Sequence, residues 1–269
     1  MKHKNNEKST MKIDNENRMA HGTPHSAMQS LLAALRLPLP KIPGIVLGTL
    51  VFCASVAAQS LPDTIAQRTL ACTACHGKEG RVTSDGYYPH IAGKPAGYLY
   101  NQLINFREGR RQYPMMIYMV DHLSDAYLLE MAQYFSSLQP SYSAPQKIDV
   151  APAVLERGRT LVMSGDASKN IPACIACHGK AMTGVAPAIP GLIGLPRDYL
   201  NAQFGAWKNG TRRTVAPDCM AQIATRLSVA DISAASAWLA SQPAPADTTP
   251  LPAAAVTEKR PLPCGSAPQ

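Results

Sequence analysis

Cys72-Thr73-Ala74-Cys75-His76-Gly77 and Cys174-Ile175-Ala176-Cys177-His178-Gly179 both read Cys-x-x-Cys-His-Gly. Cys-x-x-Cys-His is the attachment signature of c-type haem. Two thiols one helical turn apart can each bond to a vinyl group of one porphyrin, and the adjacent histidine can then bind the iron. Redox dithiols and zinc sites also use Cys-x-x-Cys, but they leave both histidines unexplained. The motifs therefore predict two covalently bound haem c groups, with the following attachment and ligand residues: Cys72, Cys75 and His76 for the first, and Cys174, Cys177 and His178 for the second.

The sequence around the two motifs is also duplicated. Residues 98–111 match residues 199–212 at an offset of 101, and the haem motifs are offset by 102. Because order and spacing both repeat, the chain is predicted to contain one domain twice. The predicted parts are an N-terminal repeat at 59–144, a linker at 145–152, a C-terminal repeat at 153–243 and a Pro/Ala-rich tail at 244–269, expected to be extended.

Each repeat is predicted to be helical. Apolar residues recur at helical spacing, and no segment alternates polar and apolar residues convincingly. Serine is a favourable N-cap residue, so a last helix is expected after Ser124 and after Ser228. The other predicted helices open each repeat at about 63–72 and 153–164 and follow the haem motif at about 96–108 and 197–209. The chain is therefore predicted to be all-α.

A second axial ligand is expected for each iron, and methionine is common in electron carriers. The N-terminal repeat offers Met115, Met116 and Met119. Met116 lies seven residues before a leucine, as Met220 does in the C-terminal repeat, so the duplication favours Met116 and Met220. Met119 is the main rival of Met116, and filling of the core is the other common role of such methionines. Ligands on both faces leave no open position for substrate, which favours electron transfer over catalysis.

Two cysteines, Cys219 and Cys264, remain after the haem motifs. In an exported protein an even pair indicates a disulfide. As an alternative, the Cys219 thiolate could bind the second iron in place of Met220. His90 and His122 are interpreted as ordinary loop residues.

Two further features have open interpretations. An insertion at 166–172 has no counterpart in the N-terminal repeat, and we expect a solvated loop there rather than a partner contact. The repeated side chains of Arg111 and Arg212, or of Tyr98 and Tyr199, could bind haem propionates. For the arginines, solvated helix ends are an equally good account.

Residues 1–58 are predicted to be a targeting segment. An apolar run, Ile42–Ala58, follows Arg36 and Lys41 and ends in small residues, as a cleaved secretory signal peptide does. The run is short for a membrane-spanning helix, although its retention would associate the protein with the membrane. Export predicts a periplasmic location. This segment holds seven Lys/Arg against three Asp/Glu, so it supplies half of the net charge of +8. The positive charge is therefore a poor indication of nucleic-acid binding, and no nucleic-acid partner is expected.

The paired Cys-x-x-Cys-His units, the Tyr-Leu-x-x-Gln helix, the Gly-Arg-Arg run and a Met before Leu-Ser resemble the dihaem class I cytochromes c of the cytochrome c4 type, over residues 62–242. The resemblance implies two tandem cytochrome c folds of about four helices each, packed about a pseudo-twofold axis with their haems close together. It also implies a periplasmic electron carrier. Its partners would be redox proteins, namely a terminal oxidase, a quinol-oxidising complex or a dehydrogenase.

Three functions are compatible with these patterns. The leading one is a carrier, not an enzyme, that transfers single electrons between respiratory-chain partners through two His/Met haems. The second is a cytochrome subunit of a periplasmic dehydrogenase or oxidase complex. The third is a dihaem enzyme, either a peroxidase or a thiosulfate dehydrogenase, which two methionine ligands disfavour because they would close both irons.

Overall fold

The computed structural model describes residues 62–81, 87–139, 142 and 144–267. The predicted targeting segment at 1–58 lies outside these residues. The described residues belong to one compact unit, Gln59–Gln269. No helix among them is long and apolar enough to cross a membrane.

The N-terminal repeat has its opening helix in two pieces. The break is at Thr69, whose hydroxyl donates a hydrogen bond to the Ile65 carbonyl (2.9 Å) instead of facing solvent. Helix α3 packs against α4 and α5, and α1 packs against α5. The helices are α1 (Ile65–Arg68), α2 (Leu70–His76), α3 (Ala96–Arg107), α4 (Pro114–Val120) and α5 (Asp125–Ser137).

The C-terminal repeat reproduces this arrangement. Helix α6 packs against α10, and α8 packs against α9 and α10. A short antiparallel pair, β1 (Gly184–Val185) and β2 (Ile189–Pro190), follows the second haem motif. The helices are α6 (Pro152–Met163), α7 (Ile175–His178), α8 (Arg197–Lys208), α9 (Cys219–Arg226) and α10 (Val229–Ala240).

The last helix of each repeat begins where its serine cap predicts. Ser124 accepts a hydrogen bond from the Tyr127 amide (3.3 Å) at the start of α5. Ser228 and Asp231 form a reciprocal capping box at the start of α10. These contacts satisfy amide groups that have no partner within the first helical turn.

Helices α4 and α9 are not among the helices that the sequence analysis predicts. Pro114 is the first residue of α4, a position where its fixed φ angle and missing N–H cost nothing. Asp218 caps α9 by accepting from the Ala221 amide (2.9 Å). Met116 and Met220 therefore lie in the first turn of a short helix rather than in a loop.

Separate apolar clusters fill the two repeats. The C-terminal repeat has one large buried cluster, built on α6, α8 and α10. The N-terminal repeat has two smaller ones, one around Phe106 and Leu128 and one around Leu99 and Phe135. The structure therefore has a core on each side of the predicted linker.

The two repeats meet through a local twofold arrangement. Arg111 and Arg212 pair as an antiparallel backbone bridge. Arg111 donates to the Tyr199 hydroxyl (3.3 Å), and Arg212 donates to the Tyr98 hydroxyl (3.4 Å). Each arginine also donates to the side-chain oxygens of Gln102 and Gln203, at distances between 2.7 and 3.1 Å.

Of the two accounts of the repeated arginines, the solvated helix end is wrong for Arg212. Arg212 is 5% exposed, and its guanidinium carbon lies 3.9 Å from the Trp207 ring centroid. The glutamine oxygens and the aromatic face replace the water that a charged side chain requires.

Candidate haem sites

The two motif histidines are oriented in the same way. Nδ1 of His178 lies 2.8 Å from the Pro190 carbonyl oxygen, and Nδ1 of His76 lies 2.9 Å from that of Pro89. A carbonyl oxygen only accepts, so Nδ1 carries the proton and Nε2 keeps its lone pair for a metal. Burial lowers the pKa of both imidazoles, which favours the neutral, ligating form.

A cavity in the C-terminal repeat is lined by all four site residues that the sequence predicts there. They are Cys174, Cys177, His178 and Met220. The remaining wall is mostly apolar and includes Leu161, Leu200, Phe204 and Leu239. Burial raises the pKa of the Cys174 thiol to about 12.

The donors around this cavity fit a haem. Nε of Arg212 and Nε1 of Trp207 are buried and have no hydrogen-bond partner among the described residues. Both residues line the cavity. A haem carries propionate groups, which need donors where the rest of the pocket is apolar. Two thiols, an imidazole, a thioether, an apolar wall and two spare donors therefore suit haem c.

In the N-terminal repeat the three candidate methionines differ in burial. Met115 is 56% exposed. Met116 and Met119 both pack against the buried cluster around Phe106 and Leu128. Met116 stays a prediction, and Met119 stays its rival.

Cys219 and Cys264 form a disulfide, as the count of cysteines predicts. The sulfur of Cys219 is therefore not a free thiolate, and the alternative of a Cys219–iron bond is wrong in this structure. The disulfide joins the tail to the residue that precedes Met220.

The predictions for the two loop histidines have different outcomes. The side chain of His122 is 94% exposed beside Asp121, as expected of a surface loop. His90 is 1% exposed, and its ring meets that of Tyr142 edge-on at 5.1 Å between centroids. Burial, and secondarily the charge of Lys94, lowers the pKa of His90 well below its usual value.

Lys94 is a site residue that the sequence interpretation missed. It comes from the N-terminal repeat, lines the cavity of the C-terminal repeat and donates to the Gly191 carbonyl (3.3 Å). It is 6% exposed, and burial lowers its pKa to about 7. The repeats themselves held a signal, because a lysine follows Ile91-Ala92-Gly93 where the equivalent Ile-Pro-Gly is followed by leucine.

The insertion at 166–172 is anchored more firmly than a solvated loop would be. Most of it is exposed, but Ile171 is 4% exposed and belongs to the core of the C-terminal repeat. Asp166 accepts from Arg157 (2.7 Å), and Lys169 donates to Asp231 (2.7 Å). The insertion thus braces α6 against α10.

The chain matches no family model. Over 197 residues it is 38% identical to a protein named thiosulfate dehydrogenase electron acceptor, from Thiomonas intermedia (strain K12). That match covers 73% of this chain and 88% of the relative.

Solved structures of a cytochrome c4 and of a thiosulfate dehydrogenase are similar to this chain. Reduced recombinant cytochrome c4 from Pseudomonas stutzeri matches with a TM-score of 0.58 at 30% identity, over 66% of this chain and 96% of that one. The thiosulfate dehydrogenase TsdBA from Marichromatium purpuratum, in its as-isolated form, matches with a TM-score of 0.60 at 30% identity. The match covers 66% of this chain but only 40% of that longer one. These neighbours confirm the all-α fold of tandem cytochrome c domains and support covalent haem c as the cofactor.

Proposed function

Because this chain belongs to the cytochrome c4 family, we propose that it carries single electrons between respiratory redox proteins through two haem c groups. Its function as an electron carrier follows from the family; the number of haems, their ligands and the partners are the proposed part. The observation that carries the proposal is the apolar cavity that gathers Cys174, Cys177, His178 and Met220.

The side chains of each repeat have distinct roles in this proposal. The motif cysteines attach the porphyrin, and the Pro89 and Pro190 carbonyls hold the two imidazoles in the ligating tautomer. Met116 and Met220 would complete the coordination of the two irons. A bound haem would supply the redox chemistry, because its iron can alternate between the ferric and ferrous states. The apolar wall excludes water, and Arg212 and Trp207 offer donors to the propionates.

We propose the periplasm as the location, on the strength of the secretory pattern in residues 1–58 and of the cytochrome family. Covalent haem attachment in bacteria is completed outside the cytoplasm, which agrees with export. Cleavage of the segment and retention as a membrane anchor are distinguished by the N-terminal residue of the mature protein.

A potentiometric titration with visible and near-infrared spectra tests the ligand set. We expect two positive reduction potentials. The methionine-to-ferric-iron charge-transfer band should have twice the intensity that one methionine-ligated haem gives. Met220→Ala should halve this band and lower one potential, because the thioether stabilises ferrous iron. The substitutions Met116→Ala and Met119→Ala, compared directly, identify the N-terminal ligand. A wild-type band of single intensity would contradict the two-methionine assignment.

A second candidate function places the chain as the electron acceptor of a thiosulfate-oxidising dehydrogenase. The observation behind it is the name and the 38% identity of the Thiomonas intermedia relative. Stopped-flow mixing of the ferric protein with such a dehydrogenase should give reduction that depends on added thiosulfate. Reduction by thiosulfate without the dehydrogenase would instead point to an enzyme, and reduction in neither case would exclude this donor.

A further inference from the structure

The tail folds back over the cavity of the C-terminal repeat. Leu251 pairs with Val185, and its amide donates to the Gly184 carbonyl (2.9 Å). Val256 and Ala267 pack against the small apolar cluster at the same place. The tail, which includes the short 3-10 helix Ala253–Ala255, is thus seated on the C-terminal repeat, while many of its side chains stay exposed.

The last part of the tail forms part of the cavity lining. Its contributing residues are Leu262, Cys264, Ser266 and Ala267. Two hydrogen bonds and the disulfide hold this part in place. The Gly265 amide donates to the Pro217 carbonyl (2.9 Å), and the side chain of Asn101, from α3 of the N-terminal repeat, donates to the Ser266 carbonyl (2.8 Å).

The disulfide is attached at the first residue of α9, directly before Met220. Residues 217 to 219 are therefore held from two sides, by the Asp218 cap within the repeat and by the tail from outside. A methionine ligand must keep its sulfur at bonding distance from iron, so a fixed helix start favours the bond.

The N-terminal repeat has no equivalent of this disulfide. The residue that corresponds to Cys219 is Met115, which is 56% exposed. On the same helix, Tyr118 is 80% exposed. Among the residues that the structure describes, the helix start that the tail contacts at Cys219 is therefore solvent-exposed at its N-terminal equivalent, Met115.

We propose that residues 262–267 are the outer wall of the second haem site and that the Cys219–Cys264 disulfide keeps this wall closed and Met220 in its ligating position. The proposal rests on the proposed two-haem function and adds an asymmetry to it. The second haem is shielded from water and small ligands, and the first is more accessible. Since water access lowers a haem potential, the wall also raises the potential of the second haem.

Binding of imidazole to the ferric protein tests the wall. Imidazole displaces a methionine ligand, and the loss of the methionine-to-iron band reports its affinity at each haem. Met220→Ala identifies which band and which potential belong to the second haem. Cys219→Ala/Cys264→Ala releases the tail, whereas Leu262→Ser keeps the disulfide and changes only the wall. Met115→Ala is the matched control, because it alters the equivalent residue next to Met116.

We expect Cys219→Ala/Cys264→Ala to strengthen imidazole binding at the second haem about tenfold, because the closed state no longer competes with the ligand. The reduction potential of the second haem should fall by about 59 mV if the stability of its ferric form relative to its ferrous form rises tenfold. Leu262→Ser should shift both quantities in the same direction by less. Met115→Ala should change neither haem.

Two results would contradict the proposed wall. One is an unchanged imidazole affinity and an unchanged potential of the second haem in both tail variants. The other is an equal change of these quantities at both haems, which would indicate a general loosening of the protein. A wild-type spectrum with no second methionine band would instead overturn the ligand set of the proposed function, whatever the tail variants do.

Discussion

Asp231 shows how one side chain can hold several parts of a repeat together. It accepts from the hydroxyl and amide of Ser228, from Arg157 (2.8 Å) and from Lys169 (2.7 Å). Burial alone would raise the pKa of this carboxyl. The hydrogen bonds from Lys169, Arg157 and Ser228 outweigh burial and hold the pKa well below its usual range.

Asp231→Asn should lower the free energy of unfolding of the C-terminal repeat by about 2 kcal/mol at pH 7, because hydrogen bonds to a charged acceptor are lost. The value is modest because Arg157 and Lys169 are partly exposed. The pKa of Asp231 is lower in the folded protein than in the unfolded chain, where it is about 3.9. The contribution of this carboxylate to the free energy of unfolding is therefore complete above about pH 3.9 and is lost progressively as the pH falls below that value. The difference between variant and wild type should therefore shrink in acid.

Denaturant titrations at pH 7 and pH 3, followed by circular dichroism, measure this difference. Asp125→Asn is the control, because Asp125 follows the equivalent serine cap but its side chain is 67% exposed. Equal losses in the two variants, or a loss that does not depend on pH, would contradict the assignment.

At the scale of elements, α6 and α10 cross with their backbones in close approach. A Cβ atom added at Gly158 would lie 2.1 Å from the Ala234 carbonyl oxygen and 2.8 Å from Cβ of Trp238. The two backbones therefore meet with no room for a side chain. Helical spacing predicted both helices within about two residues, but it carried no information on where they touch.

Gly158→Ala should lower the free energy of unfolding by about 3 kcal/mol, because the added methyl group must push two helix backbones apart. Gly205→Ala, in α8, is the matched variant: an added Cβ there meets nothing within 4 Å. It should raise stability by about 0.5–1 kcal/mol, the usual gain from replacing a helical glycine. Thermal unfolding of both variants provides the measurement, and a neutral Gly158→Ala would show that the crossing can relax.

At the scale of the whole molecule, the contact between repeats depends on a few polar side chains. Arg111 and Arg212 share the oxygens of Gln102 and Gln203 across the local twofold, and Arg212 is buried between them and Trp207. This planar, branched geometry suits guanidinium groups and not a lysine ammonium. The contact should couple the unfolding of one repeat to that of the other.

Arg212→Lys should weaken the coupling by about 2 kcal/mol, because hydrogen bonds from a charged donor and the aromatic stacking are lost. We expect unfolding to separate into two transitions, one for each repeat. Arg213→Lys is the control, because Arg213 is exposed at the neighbouring position. Haem absorbance and circular dichroism during denaturation distinguish the cases; a single transition in Arg212→Lys would show that other contacts suffice.

The all-α class, the duplication, the haem motifs and the two serine caps could be read from the sequence, because each depends on residues within a few turns of one another or on a repeated pattern. The short helices α4 and α9 are not predicted because each spans only about two turns, which is too short for helical spacing to distinguish it from a loop. The Cys219–Cys264 disulfide followed from counting alone, although its place over a cavity did not.

Only the tertiary structure decided the contacts between distant parts of the chain. Arg111 meets Gln203 across 92 residues, and Asn101 meets Ser266 across 165. Lys94 is buried because the C-terminal repeat covers it, although its local sequence resembles a surface loop. The physical reason is that burial and pairing depend on which surfaces meet, whereas capping, helix formation and haem attachment depend on neighbours along the chain.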